Sequence, residues 1–331
     1  MHAVDPTNAT PVGQSEVNIS RLGMGTGPAS RGFGDDQAAR FASTIRYGLS
    51  RGVIYVDTAP AYYLGRSEEA LGAALRTVEA HRLVVSTKVG RLIRRAGTPG
   101  PGQLRDPSSP DVLFDFTGDG IKRSLDESLA RTGLSRFDIV YIHDPDLAMD
   151  QALAEAYPAL ATLKEEGTIG AIGVGMTAAS PLARFVRETD VDCVLLAGRY
   201  TLLDQSGLVE LLPLCAERGV SVIVGGVFNG GLLANPSSGE FNYAPAAREV
   251  RTKVDNLTAL CAKYRVPLKA AAIQFPFGHP AVACVLSGTI SEDHLSENMD
   301  MLRFPIPAEL WERMRSDGHV PLEAPLPIAM T

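Results

Sequence analysis

Val56-Asp57-Thr58-Ala59-Pro60-Ala61-Tyr62-Tyr63-Leu64-Gly65-Arg66-Ser67-Glu68 is the stretch on which the fold of this chain turns. It continues the apolar run Gly52-Val53-Ile54-Tyr55-Val56, which reads as a buried strand. An aspartate therefore stands at a strand end and a tyrosine in the loop beyond it. Two further apolar runs lead to chemistry-bearing residues: Leu83–Thr87 to Lys88, and Phe137–Ile142 to His143. A phenol beside an ammonium and an imidazole can move a proton. The cation lowers the phenol's pKa, and the imidazole orients the substrate oxygen.

Short apolar runs recur on either side of this stretch. Arg21–Gly25, Val53–Asp57, Leu83–Lys88, Asp138–His143, Ile169–Val174, Cys193–Ala197, Val220–Val224 and Val282–Ser287 read as strands. Amphipathic stretches separate them, at Asp36–Ser50, Ser67–Ala80, Gly118–Thr132, Met149–Glu166, Ser180–Glu188, Gly207–Arg218 and Pro245–Tyr264. Leu268–Phe275 continues the last of these, and Ser291–Met301 follows the final strand. The alternation implies parallel strands joined by crossover helices, and eight repeats imply a single (β/α)8 TIM barrel. The 331 residues alone would fit about two domains, but α/β barrels of this size form one. Residues 1–17 read as a mobile leader, 18–316 as the barrel and 317–331 as a C-terminal tail. Leu92–Phe116 and Val227–Ala247 lack periodicity and are expected as long loops at the C-terminal face, where barrels carry their sites.

Composition narrows the function. The chain is 45% hydrophobic, enough for one large core, and its net charge of −7 argues against nucleic acid or an anionic membrane as partner. The N-terminus lacks a basic start followed by an apolar core, and no apolar run approaches the roughly eighteen residues of a membrane span, so a cytoplasmic protein is expected. Cys193, Cys215, Cys261 and Cys284 have no paired spacing and read as buried, reduced thiols. No metal motif is present. The expected partner is a small polar molecule, and the expected assembly a monomer or small homo-oligomer.

Asp57, Tyr62, Lys88 and His143, in this order and at these strand ends, resemble the catalytic tetrad of the aldo-keto reductase superfamily. The resemblance is carried by Asp57-Thr58-Ala59, Tyr62, Gly65-Arg66-Ser67-Glu68, Ser86-Thr87-Lys88 and Ile142-His143-Asp144-Pro145-Asp146, and it runs from about Leu22 to Trp311. Gly90-Arg91-Leu92, the segment Val194–Gln205 and Gly225-Gly226-Val227-Phe228-Asn229 are similar to one branch. That branch holds aldose 1-dehydrogenases of L-fucose, L-galactose or D-threo-aldoses and pyridoxal 4-dehydrogenase. The resemblance implies NAD(P)-dependent oxidation of a small aldose at C1 to a lactone. Pyridoxal oxidation, aldehyde or ketone reduction and a cofactor-binding regulatory barrel are the alternatives. It also places the tail over the barrel mouth.

The resemblance assigns residues as well. Tyr62 takes the proton, Lys88 tunes it, Asp57 holds Lys88 charged and His143 holds the reacting oxygen. Tyr63 stands where the family commonly has glycine and is expected in the pocket wall. Arg91, Asp144 and Arg199 are candidate substrate contacts, with Arg94 and Asp146 nearby; solvation of the surface is the alternative for each. Gly25, Thr26 and Asp57 are expected beside the cofactor. Gly225, Phe228, Asn229 and Gly230 follow the seventh strand, where glycines let backbone N–H groups approach a pyrophosphate. Ser287, Gly288, Thr289, His294, Glu297 and Asn298 resemble the segment that holds the adenosine end. Relatives that prefer NADP commonly carry arginine or lysine where this chain has Ile290 and His294, and Glu292 and Asp293 add negative charge, so NAD is expected over NADP. Gly173–Thr177, Ala197 and Gly225 depart from the family's usual nicotinamide-contacting residues.

Overall fold

The computed structural model describes residues 3–27, 35–94, 99–107, 109, 111–237, 240–241, 244–289 and 291–328. Ile290, the first two residues of the expected leader and the last three of the tail lie outside the described residues.

Eight parallel strands close into a barrel. They are β1 (Leu22–Gly25), β2 (Tyr55–Asp57), β3 (Val84–Val89), β4 (Phe137–His143), β5 (Ile169–Met176), β6 (Cys193–Ala197), β7 (Ser221–Gly225) and β8 (Val282–Gly288). Each pairs with the next in sequence, and β8 returns to β1 with Val285 opposite Leu22. The connecting and flanking helices are α1 (Asp35–Ser50), α2 (Arg66–Leu75), α3 (Gly118–Thr132), α4 (Tyr157–Glu165), α5 (Ala179–Glu188), α6 (Leu211–Arg218), α7 (Arg248–Lys263), α8 (Leu268–Gln274), α9 (Glu292–Arg303) and α10 (Ala308–Ser316). This is the (β/α)8 TIM barrel expected from the alternation.

Local chemistry sets several boundaries. Thr117 caps α3 by accepting the backbone N–H of Gly120 at 3.0 Å. The stretch expected as one helix over Met149–Glu166 is interrupted by a wide π turn at Ala152–Ala156. Pro158 explains the break, since it donates no N–H and its ring crowds the carbonyl one turn back.

Strand alternation sorts apolar side chains into two compartments. One face packs outward against the helices, through residues such as Leu22, Val56, Val140, Val174, Val194 and Val224. The other fills the bore with Tyr55, Ile139, Tyr141, Ala171, Cys193, Ile223 and Cys284. Gly23 and Gly173 make room for the two tyrosines: a Cβ there would lie 2.6 Å from the Tyr55 ring and 2.4 Å from the Tyr141 ring.

Three sequence expectations need correction. Residues 3–17 do not stand free as a leader. Ala9–Pro11 and Asn18–Ser20 form an antiparallel hairpin whose Val12 and Ile19 are fully buried in the bore cluster. Gly13, at φ +55°, presses so close to Asp192 that a Cβ would sit 2.2 Å from its carbonyl oxygen. The hairpin therefore plugs the N-terminal end of the barrel. The end of the described tail, Pro325 and Leu326, is not over the mouth either. Val320 and Ala324 are buried, and the backbone of Pro325 and Leu326 lies against Gly278, in the turn that enters β8 from the N-terminal end. Finally, the segment after β3 is not irregular throughout. Arg91–Ile93, Gln103–Arg105 and Val112–Asp115 form a three-stranded antiparallel sheet with Val112–Asp115 in the middle.

All four cysteines are buried and unpaired, and no cluster of metal-ligating side chains occurs among the described residues. No described helix is long and apolar enough to cross a membrane.

Candidate active site

The C-terminal ends of β2, β3 and β4 deliver Asp57, Lys88 and His143, and the loop after β2 delivers Tyr62. The structure brings these four together. Lys88 Nζ lies 2.6 Å from Asp57 Oδ2 and donates to the Thr58 carbonyl at 3.0 Å. It stands 4.7 Å from the centroid of the Tyr62 ring. The Tyr62 and His143 rings meet edge to face, with centroids 6.0 Å apart. Asp57 and Lys88 are almost wholly buried, a placement that two charges tolerate only as a hydrogen-bonded pair.

Burial and charge set the protonation states. Burial disfavours the Lys88 ammonium, but Asp57 and Tyr62 outweigh it and the pKa is raised, so the lysine is charged. Burial also lifts the Tyr62 phenol above its ordinary value, and Lys88 only partly offsets this. At neutral pH the phenol therefore keeps its proton. His143 is pushed well below the usual imidazole range by burial, with Arg91 and Lys88 adding to the effect, so it is neutral. Its Nδ1 has no hydrogen-bond partner among the described residues.

Residues to which the sequence reading gave no part in the tetrad support this group from below. Ser86 donates to Asp57 Oδ1 at 2.7 Å, Tyr55 Oη lies 3.0 Å from Ser86 Oγ, and Tyr141 Oη lies 3.0 Å from Tyr55 Oη. Tyr55, Ser86 and Tyr141 each stand two positions before a tetrad residue on the same strand. A period of two puts them on the same bore-facing side, one layer deeper, and that was the available signal. Glu68 is fully buried between Thr87, at 2.7 Å, and Arg131, at 2.6 Å, and so ties α2 to β3 and α3. Thr26, Ser67 and Thr58 form a buried hydroxyl chain beside Asp57, with links of 2.7 and 3.0 Å.

The candidate substrate residues separate. Tyr63 is half-buried next to Tyr62 and adopts φ +58°, followed by Leu64 at φ +55°. Such a turn suits glycine, which explains why a glycine at this position would be accommodated without strain. Arg91 and Asp144 pair at 2.8 Å. Arg199 binds the Thr177 carbonyl at 3.0 Å and Asp204 at 3.1 Å, so its guanidinium braces the loop after β6. Arg94 pairs with Glu127 on α3, and Asp146 is exposed.

The candidate cofactor residues gather at the ends of β7, β8 and β1. Asn229, in a left-handed turn at φ +46°, is buried after β7, and its Nδ2 reaches the Gly198 carbonyl at 3.4 Å. Gly226 and Gly230, exposed and at positive φ, flank it. Asn298 Nδ2 donates to Ser287 Oγ at 2.9 Å, and Thr289 N–H reaches the Gly25 carbonyl at 3.3 Å. Asn229 Oδ1 and Asn298 Oδ1 are buried acceptors without a partner among the described residues. Buried acceptors of this kind are ordinarily satisfied, and a ligand carrying hydroxyl and amide donors would satisfy them. Phe228 is half-buried, Gly288, His294 and Glu297 are exposed, and Lys269 pairs with Glu297 at 2.6 Å and lies over the Phe228 ring. These residues fit a nicotinamide dinucleotide.

A (β/α)8 barrel whose strand ends converge on a buried lysine–aspartate pair, a tyrosine and a neutral histidine, beside an open glycine loop, defines a nicotinamide-dependent oxidoreductase of the barrel class. The sequence matches the aldo/keto reductase family over residues 21–317, and the chain belongs to it. It is 40% identical over 316 residues to D-threo-aldose 1-dehydrogenase of a Pseudomonas species, covering 92% of this chain and 95% of that one. It is 36% identical over 330 residues to pyridoxal 4-dehydrogenase of Microbacterium luteolum, covering 93% and 96%. The holo form of an aldo-keto reductase from Bacillus halodurans shares the fold with a TM-score of 0.76 at 24% identity, covering 93% of this chain and 95% of that one.

Proposed function

We propose that this enzyme oxidises the C1 hydroxyl of a small aldose, in its cyclic form, to a lactone, with NAD as the preferred acceptor. The observation that carries the reading is the Lys88–Asp57 pair at 2.6 Å facing Tyr62 and the neutral His143, in a chain similar over nearly its whole length to a D-threo-aldose 1-dehydrogenase.

His143, as a neutral donor, hydrogen-bonds the reacting oxygen and fixes its place. In its phenolate form, whose charge Lys88 meets, Tyr62 takes the hydroxyl proton as the C1 carbon is oxidised and becomes the neutral phenol. Asp57 holds that ammonium in position, and Ser86 holds Asp57. A bound nicotinamide supplies the two-electron acceptor. Asn229 and the glycines around it would hold the phosphate end, and Ser287, Thr289 and Asn298 the adenosine end. Run in reverse, the same protonated Tyr62 donates to a carbonyl oxygen, so aldehyde reduction belongs to the same site.

The deciding experiment is a spectrophotometric screen of NAD and NADP against L-fucose, D-arabinose, L-galactose, pyridoxal and simple aldehydes. Turnover of at least one aldose with the higher kcat/KM supports the reading. Turnover of pyridoxal alone replaces it with the second one, which the similarity to pyridoxal 4-dehydrogenase favours.

A further inference from the structure

Directly after His143 the chain turns into a left-handed conformation at Asp144, φ +43°, while its N–H continues the ladder to the Gly175 carbonyl at 2.9 Å. Aspartate tolerates this backbone well. The turn leaves the carboxylate beside the imidazole, with Asp144 Oδ2 3.5 Å from His143 Nε2. That is longer than a well-formed hydrogen bond, so the two polar atoms lie side by side without satisfying each other.

Asp144 is held from the other side. Arg91 NH2 binds its Oδ2 at 2.8 Å, and Arg91 NH1 reaches the buried Asp106 at 3.5 Å. The guanidinium also lies over the Phe114 ring, 5.0 Å from its centroid. All three partners of Arg91 thus come from two places: the small sheet after β3 and the end of β4. An arginine fixed on two carboxylates and a ring is a rigid mount. The Asp144 side chain keeps 26% of its surface exposed, against 3% for Asp106, so it is the carboxylate still open to a ligand.

We propose that Asp144, mounted on Arg91, accepts the hydroxyl on the carbon next to the reacting one, while His143 holds the reacting oxygen. The 3.5 Å gap is of the order of the spacing between vicinal hydroxyl oxygens, so the pair reads a vicinal diol. A sugar in its cyclic form presents such a diol at C1 and C2. A cyclic pyridoxal hemiacetal has an aromatic carbon without hydroxyl at the neighbouring position, and a simple aldehyde has none. Asp144 is then the residue that selects α-hydroxy substrates, and Arg91 is a positioning residue acting through it. The inference rests on the aldose reading and names the substrate feature on which that reading depends.

Steady-state kinetics with NAD on D-arabinose and on 2-deoxy-D-ribose, which is the same sugar without its 2-hydroxyl, tests it. The unmodified enzyme is expected to prefer D-arabinose about tenfold or more in kcat/KM, the value of one hydrogen bond to a charged group. Asp144→Ala should bring the two sugars to within about twofold, chiefly by raising KM for D-arabinose. Asp144→Asn should fall between, and it carries the test if the alanine variant fails to fold. Arg91→Met should erode the same preference with Asp144 intact. NADH binding followed by fluorescence should be retained in each variant. Equal use of both sugars by the unmodified enzyme, or a preference that survives Asp144→Ala, overturns the inference while leaving aldose oxidation standing. Turnover of pyridoxal with neither sugar oxidised overturns the aldose reading itself, and the inference with it.

Discussion

Tyr62 and Lys88 share one proton economy. Burial raises the phenol's pKa, Lys88 pulls it back, and the net position is above the ordinary value. Oxidation needs the base form of Tyr62, so its rate should climb as pH rises through the alkaline range. Reduction needs the protonated form and should fall over that range. Lys88→Met removes the cation that lowers the phenol's pKa, so the residual oxidation profile should move further alkaline. A pH–rate series on both enzymes checks this; an unmoved profile with substantial activity would refute the role given to Lys88. Tyr62→Phe should cost about 10²–10⁴-fold in kcat while NADH still binds. Tyr63→Phe should be mild. The reverse outcome would mean that Tyr63, and not Tyr62, is the proton acceptor.

At the scale of elements, the N-terminal hairpin makes a prediction about stability. Val12 is fully buried at the closed end of the bore among Ile19, Ile139 and Ala171. Val12→Ala deletes two buried carbons and leaves a cavity, and should cost about 2–3 kcal/mol. A shift in the midpoint of chemical unfolding with unchanged slope would show it; no shift would mean that the hairpin does not seal the barrel. This element also shows where sequence reasoning stops. Strand runs ending in Asp57, Lys88 and His143 were legible because a continuous apolar run and a charged terminus are both local signals. Val12 and Ile19 sit in a polar stretch with no run of their own, and only the closed barrel gives them a place to be buried. The sheet after β3 was hidden for a similar reason. Its three short strands pair with one another across a glycine- and proline-rich segment, so no single strand carries a period long enough to read. Within the site, the buried layer of Tyr55, Ser86 and Tyr141 was recoverable in principle, since alternation by two places each member beneath a tetrad residue.

Cofactor choice belongs to the whole molecule, because separate regions of chain meet around the proposed adenosine end. The loop after β7 brings Phe228, the start of α8 brings Lys269, and α9 brings His294 and Glu297. Among the described residues there, Lys269 is a cation close to the site, and it is held by Glu297 at 2.6 Å. Its charge is thus balanced before any phosphate arrives. Glu292 is engaged with Ser43 on α1, and it and Asp293 stay exposed at the start of α9. The chain's net charge of −7 adds a diffuse field of the same sign as a 2′-phosphate. NAD should therefore have the higher kcat/KM. Glu297→Gln should release Lys269 and narrow the gap by lowering KM for NADP. One charge-assisted contact contributes roughly 1.5–3 kcal/mol, so the change should be about tenfold or more. The effect should shrink as salt is raised, because part of it is long-range. Titration of both cofactors into the unmodified enzyme and the variant decides the matter. Tighter binding of NADP by the unmodified enzyme would show that Lys269 is already available to the phosphate, and that the Glu297 pair yields when the cofactor binds.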